Sequence, residues 1–136
     1  MGLTLLSRSD NVGVARVALA AFAAQLSFTL SDLEEIKVAV SEAVTNAVSH
    51  AYPGAEGEVA VSATADGDLL TVEVRDAGVG IPDVAAARAP SFTTVPDRMG
   101  LGFVFMESFM DELEVSSAPG QGTTVTMRKR CRPQAG

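Results

Sequence analysis

The chain has 136 residues, room for one hydrophobic core and not for a second catalytic domain, so residues 1–136 are read as one domain. Hydrophobic residues make up 47% and charged residues 20%, a composition that excludes a disordered or fibrous chain. Seventeen acidic against ten basic residues leave a formal charge of −7, which argues against direct binding of nucleic acid or an anionic membrane and favours protein or small-molecule partners.

Cys131 is the one cysteine, so an internal disulfide and a cysteine-based zinc site are both excluded and a reducing compartment fits. The opening residues lack the basic start and long apolar stretch of a signal peptide, and no apolar run is long enough to span a bilayer, so the expected location is the cytoplasm.

The short apolar start reads as an edge strand. Val12, Ala15, Leu19, Phe22, Ala23 and Leu26 then recur at helical spacing and predict a first helix. Ser31-Asp-Leu-Glu34 has the spacing of a capping box, and behind it Leu33, Ile36, Val40, Ala43, Val44, Ala47 and Val48 mark one face of a long second helix that stops near Tyr52-Pro53-Gly54. Residues 58–65 and 68–75 alternate as two antiparallel strands joined at Asp66-Gly67. Residues 77–101, rich in glycine and proline with one short alanine patch at 85–87, read mostly as loop, and a loop this long is usually functional. A third helix is expected over residues 101–110, its Phe103, Phe105, Met106, Phe109 and Met110 packing into the core. Residues 114–117 and 123–129 make a final strand pair, and residues 130–136 a flexible basic tail. The expected architecture is α+β, a two-layer sandwich with helices on one face of a mixed, mainly antiparallel sheet.

Three features could carry chemistry. Glu42 and Asn46, four residues apart, share one face of the second helix as a base and a metal-binding carboxamide, although an isolated pair of this kind is common by chance. Asp76-Ala-Gly78-Val-Gly80 follows a strand, where an aspartate can accept a hydrogen bond from an exocyclic amine and glycines let backbone approach a flat ligand. Gly100-Leu-Gly102 opens the third helix, whose N-terminus favours an anion. The only lysines, Lys37 and Lys129, do not follow a glycine loop, which excludes a P-loop, and Gly78-Val-Gly80 runs into Ile-Pro, which excludes the dinucleotide fingerprint. Phosphate binding is left to backbone amides, a magnesium ion and Arg98.

With the three motifs in this order and on these elements, the sequence resembles the Bergerat-fold (GHKL) ATPases, the superfamily of the gyrase B subunit, the histidine kinases and the anti-sigma-factor serine kinases. Ser41-Glu-Ala-Val-Thr-Asn-Ala-Val-Ser-His-Ala-Tyr52, Phe92-Thr-Thr94 and residues 99–111 are similar to the sporulation anti-sigma F factors. The resemblance implies an ATP-dependent protein serine/threonine kinase that inhibits a sigma factor of the F type and phosphorylates a serine on an anti-anti-sigma factor, working as a homodimer with ATP or ADP and Mg²⁺. It makes Glu42 the catalytic base, Asn46 the Mg²⁺ ligand, Asp76 the adenine reader, Gly78 and Gly80 the room for the base, and Thr124 the completion of the adenine site. Residues 82–99 become an ATP lid, shorter than the family pattern, closing with Arg98, Gly100 and Gly102 on the phosphates. Arg16 becomes a contact to the partner proteins, where its residue-level reading is a solvated charge. His50, on the ATP-site helix, is read as a packing or capping residue rather than a phosphoacceptor. A general-stress anti-sigma kinase, a non-catalytic ATP-gated sigma-binding module and a detached histidine-kinase ATPase domain remain as alternatives.

Overall fold

The computed structural model describes residues 1–88 and 98–131, the Arg98 side chain excepted. Its elements are β1 (Gly2–Leu6), α1 (Asp10–Ala23), α2 (Leu30–His50), β2 (Glu58–Asp66), β3 (Leu69–Asp76), α3 (Val84–Arg88), α4 (Arg98–Phe109), β4 (Glu112–Ser117) and β5 (Thr123–Arg130). The five strands form one sheet in the order β1-β2-β3-β5-β4. Every pairing among the described residues is antiparallel, where the sequence reading expected a mixed, mainly antiparallel sheet.

Strand alternation decides what each face does. Leu3, Val61, Val74, Val125 and Val115 stand side by side across all five strands, an apolar row that must be covered. The cover comes from the apolar stripes of α1, α2 and α4, which bury Leu19, Ile36, Val40, Val44, Phe103 and Met106 against it. The opposite face carries Thr71, Glu73, Arg75, Thr124, Thr126 and Arg128, with Arg128 paired to Glu112 and Glu114 at 3.2 and 3.4 Å. The result is the expected two-layer sandwich.

Local details depart from the sequence reading in ways that have physical causes. The capping box of α2 uses Thr29 and Asp32 rather than Ser31 and Glu34: the Asp32 amide donates to Thr29 Oγ1 at 3.0 Å and the Thr29 amide to the Asp32 carboxylate at 3.3 Å. Glu34 is occupied elsewhere, by Lys37 at 2.8 Å. The first helix stops at Ala23, and Leu26 still packs on the core from the following turn. The alanine patch forms the short α3. Helix α4 begins at Arg98, three residues before the expected start, so Gly100 and Gly102 lie inside it. Phe103, Met106 and Met110 are buried, whereas Phe105 and Phe109 stack on each other at 5.9 Å. Arg130, expected in a loose tail, completes β5 opposite Leu69, and Cys131 is buried beside it with its amide on the Asp68 carbonyl at 2.8 Å. Residues 132–136 lie outside the described residues. No described helix is long and apolar enough to cross a membrane.

Candidate functional site

One rung along from the apolar row, the inner face of the sheet turns polar. Asp76 pairs with Thr123, and Ser117 pairs with Thr123 from the other side, so three oxygen-bearing side chains stand in register where β3 and β4 end and β5 begins. Above them α2 presents Ala43 and Ala47, side chains too small to fill the space over Val74 and Val125. The cavity left there is walled by Asn46 and His50 from α2, Met99 and Phe103 from α4, and Gly80 and Ile81 from the loop after β3. It is an apolar slot with a few polar groups at its ends, the usual build of a site for a flat organic ligand.

At one end, Asp76 is half-buried. Burial pushes its carboxyl above the ordinary value of 3.8, and the amides of Gly78 and Thr123 pull it back. The Gly78 amide donates to Asp76 Oδ1 at 2.9 Å, which fixes one oxygen and leaves acceptor capacity on the carboxylate for an amine. Asn46, which lines the cavity, and Glu42, one turn before it on α2, are both buried, at 7% exposure each. A Cβ on Gly102 would fall 3.0 Å from Glu42 Oε2 and 3.4 Å from either carboxamide atom of Asn46. The glycine therefore lets α4 come down onto this pair. Asn46 Nδ2 is buried with no hydrogen-bond partner among the described residues, an arrangement that costs stability unless a ligand supplies an acceptor.

The structure thus brings Asn46, Asp76 and Gly80 to the cavity, with Glu42 and Gly102 at its α2–α4 edge. Gly78 and Gly80 are glycine for a reason other than room for a base: a Cβ on Gly78 would lie 2.1 Å from the Ala51 carbonyl oxygen, and one on Gly80, at φ +78°, 2.1 Å from that of Ala118. Gly102 does not open its helix but lies a turn inside it, and Gly100 is buried within the same first stretch. Thr124 is on the wrong face. It alternates outward opposite Arg75, and Thr123 takes the place at the cavity beside Asp76.

The role read for the Arg98 side chain lies outside the described residues, as do Phe92, Thr93 and Thr94. Arg16 does not line the cavity; it is exposed on α1 beside exposed Val14 and Val17, and reaches Ser41 Oγ at 3.4 Å.

Sequence reasoning missed Thr123, Ile81, Met99 and the cavity position of His50. The burial of Val125 and Met127, two and four residues on, is the signal that would have selected Thr123 over Thr124. Of the described residues lining the cavity, His50 is the one with a basic side chain. No three His, Cys, Asp or Glu side chains cluster as metal ligands among the described residues. The orphaned Nδ2 of Asn46 calls for an acceptor such as a phosphate oxygen, and the Oδ1 of the same carboxamide is the type of oxygen that magnesium takes, one or two from protein and the rest from phosphate and water.

A family model described as the histidine kinase-like ATPase domain matches residues 5–129. The anti-sigma F factor of Thermoanaerobacter sp. (strain X514) is 49% identical over 131 residues, covering 95% of this chain and 92% of that protein. The anti-sigma F factor of Clostridium acetobutylicum is 45% identical over 132 residues, covering 96% and 92%. Among solved structures, the blue-light activated histidine kinase of Erythrobacter litoralis EL346 superposes with a TM-score of 0.63 at 25% identity, over 79% of this chain and 33% of that one. The RsbU and RsbW domains of Rv1364c from Mycobacterium tuberculosis give a TM-score of 0.63 at 22% identity, over 100% of this chain and 34% of that one.

Proposed function

The chain belongs to the histidine kinase-like ATPase domain family and, within it, to the anti-sigma F factors, and from that premise we propose that it inhibits a sigma factor and is an ATP-dependent protein serine kinase. One observation carries the catalytic part of the reading. Glu42 and Asn46 are buried together against Gly102, and Asn46, its Nδ2 without a partner among the described residues, lines the cavity that the half-buried Asp76 also lines. A purely nucleotide-gated switch has no need of a buried carboxylate at that place.

In this reading Asp76 accepts from the exocyclic amine of adenine, Thr123 flanks it, and Ile81, Met99 and Phe103 exclude water from the faces of the base. Asn46 would hold Mg²⁺ through its Oδ1, and the ion when bound would neutralise phosphate charge. Gly100 and Gly102 face the phosphates from the first turns of α4. Glu42 accepts the proton of the substrate serine as its oxygen bonds to the γ-phosphorus. The bridging P–O bond breaks and its electron pair leaves with ADP. Positioning and charge neutralisation supply most of such a rate, and the carboxylate supplies the rest.

The serine belongs to an anti-anti-sigma factor. The sigma factor is of the sporulation F type, in keeping with the name of the curated relatives at 45–50% identity. Nucleotide state biases which partner is held, because a ligand shifts such a choice only through its differential affinity for the two complexes. The chain acts as one domain, as a homodimer in the cytoplasm, with Arg16 on α1 at the partner interface.

The test is transfer of labelled phosphate from Mg-ATP to an anti-anti-sigma protein of the same genome. Glu42→Gln is expected to retain ATP binding and to lose at least about a hundredfold in transfer rate, the lower bound for a general base. Absence of transfer by the wild type, despite bound ATP and a competent substrate, would leave a non-catalytic ATP-gated sigma-binding module.

A further inference from the structure

The loop that follows Asp76 at the end of β3 is tied down one amide at a time. The Ala77 amide donates to the Tyr52 hydroxyl oxygen at 2.9 Å, the Gly78 amide to Asp76 Oδ1 at 2.9 Å, the Val79 amide to the Ala51 carbonyl at 2.8 Å and the Ile81 amide to Ser117 Oγ at 2.7 Å. Two of these acceptors, Ala51 and Tyr52, are the residues that directly follow α2. The Tyr52 hydroxyl spends its own proton on the Glu58 carbonyl at 2.7 Å, so the oxygen is oriented to receive the Ala77 amide. The chain makes room for the ring: a Cβ on Gly57 would fall 2.3 Å from Tyr52 Cζ, so no larger residue at 57 is compatible with the ring as it lies.

Tyr52 does not line the cavity that holds Asn46 and Asp76, and no step of the reaction uses it. Its place in the chain nevertheless matters. Asn46 is on the last turns of α2, and Asp76 immediately precedes the amide that Tyr52 receives. A ligand held by both residues reads the distance between them, and beside the pairing of Asp76 with Val59 and Thr123 and the Val79–Ala51 bond, the hydroxyl-to-amide bond of Tyr52 is the tie to the end of α2 that lies next to Asp76 in sequence. A carboxylate displaced along its strand end still attracts a cation but no longer meets one particular amine at hydrogen-bond distance.

We propose that Tyr52 is a positioning residue for base recognition: its hydroxyl holds the Asp76 loop to the end of α2, and so sets the preference for a purine bearing an amino group over its 6-oxo analogue. The inference rests on the reading of Asp76 as the residue that meets the base. It assigns to a side chain outside the site the discrimination exercised within it.

The experiment measures dissociation constants for ATP and for inosine triphosphate, both with Mg²⁺, in the wild type, Tyr52→Phe and Asp76→Asn. Tyr52→Phe removes one oxygen and keeps the ring over Gly57. The ratio of the two constants cancels any loss of folded protein, because unfolded chain binds neither nucleotide. The wild type is expected to prefer ATP, Asp76→Asn to lose that preference, and Tyr52→Phe to lose about fivefold to tenfold of it, the scale of one net hydrogen bond. A Tyr52→Phe ratio equal to the wild type, whatever its melting temperature, overturns the inference. A wild type that binds ATP and its 6-oxo analogue equally overturns the reading of Asp76 on which it stands, and the two failures are distinguished by the wild-type measurement alone.

Discussion

Gly102 is where a missing side chain does more than a present one. In the middle of a helix a glycine is less favourable than alanine by about 0.5–1 kcal/mol, so its occurrence in α4 needs a local reason. The reason is Glu42 Oε2, 3.0 Å from where a methyl group would sit, and the Asn46 carboxamide at 3.4 Å. Both neighbours are buried, so they can give way only by leaving their present geometry. Gly102→Ala is therefore expected to keep thermal stability within about 1 kcal/mol of the wild type, the helix gain offsetting the crowding, while phosphoryl transfer falls by about tenfold or more because the reacting groups are displaced. A melt and a single-turnover transfer assay on the same preparation check both halves, and unchanged transfer would mean that the approach of α4 does not position Glu42. At this scale the sequence was readable where geometry is independent of context. An i,i+4 pair such as Glu42 and Asn46 shares a face in any helix. Thr123 was not readable in the same way, because choosing it over Thr124 required knowing which face of β5 is buried, and a one-residue slip reverses that choice.

Elements were legible where periodicity was strong and blurred where two local signals overlapped. Thr29-Leu-Ser-Asp32 and Ser31-Asp-Leu-Glu34 both satisfy the capping-box pattern, and nothing within either tetrapeptide ranks them. In the structure Thr29 is extended at φ −73°, ψ 165° and exchanges hydrogen bonds with Asp32. Thr29→Ala is expected to destabilise the protein by about 1 kcal/mol and Ser31→Ala by little, read as shifts in urea midpoint at constant slope. The opposite ranking would place the cap two residues later. The early start of α4 has a different cause. Two glycines disfavour helix over residues 100–102, and the burial of Phe103, Met106 and Met110 on the sheet overrides that propensity, a contribution invisible until the sheet is assembled. Helix α3 was hidden for a similar reason, since five residues of alanine-rich chain do not hold a helix unaided and Val84 and Ala87 pack against the core.

For the whole molecule, the cavity and the core are made of the same residues. Ala43, Ala47, Val74, Phe103 and Val125 line the site and belong to the one buried cluster that also contains Leu19, Ile36 and Val61. Composition predicted such a core but could not show that its α2–sheet seam is left open by two alanines. A ligand seated on core residues binds only the folded chain, so its binding energy should appear in a single unfolding transition rather than in the local melting of a loop. At a hundredfold excess over the dissociation constant the stabilisation is about 2.7 kcal/mol, which for a domain of this size raises the melting temperature by roughly 8–12 °C. The chain as a whole carries a formal charge of −7, and one of its carboxylates, Asp76, lies in the cavity, so a nucleotide polyanion approaches against the field of the protein. In the proposed reading, magnesium would remove much of that opposition by neutralising phosphate charge before the ligand reaches Asn46. The full shift is therefore expected with Mg-ATP, and a clearly smaller one with ATP in the presence of a chelator at the same total concentration, both as one transition. An equal shift without the metal would mean that protein groups alone offset the charge. Two resolved transitions would mean that the nucleotide stabilises a part of the molecule that unfolds apart from its core.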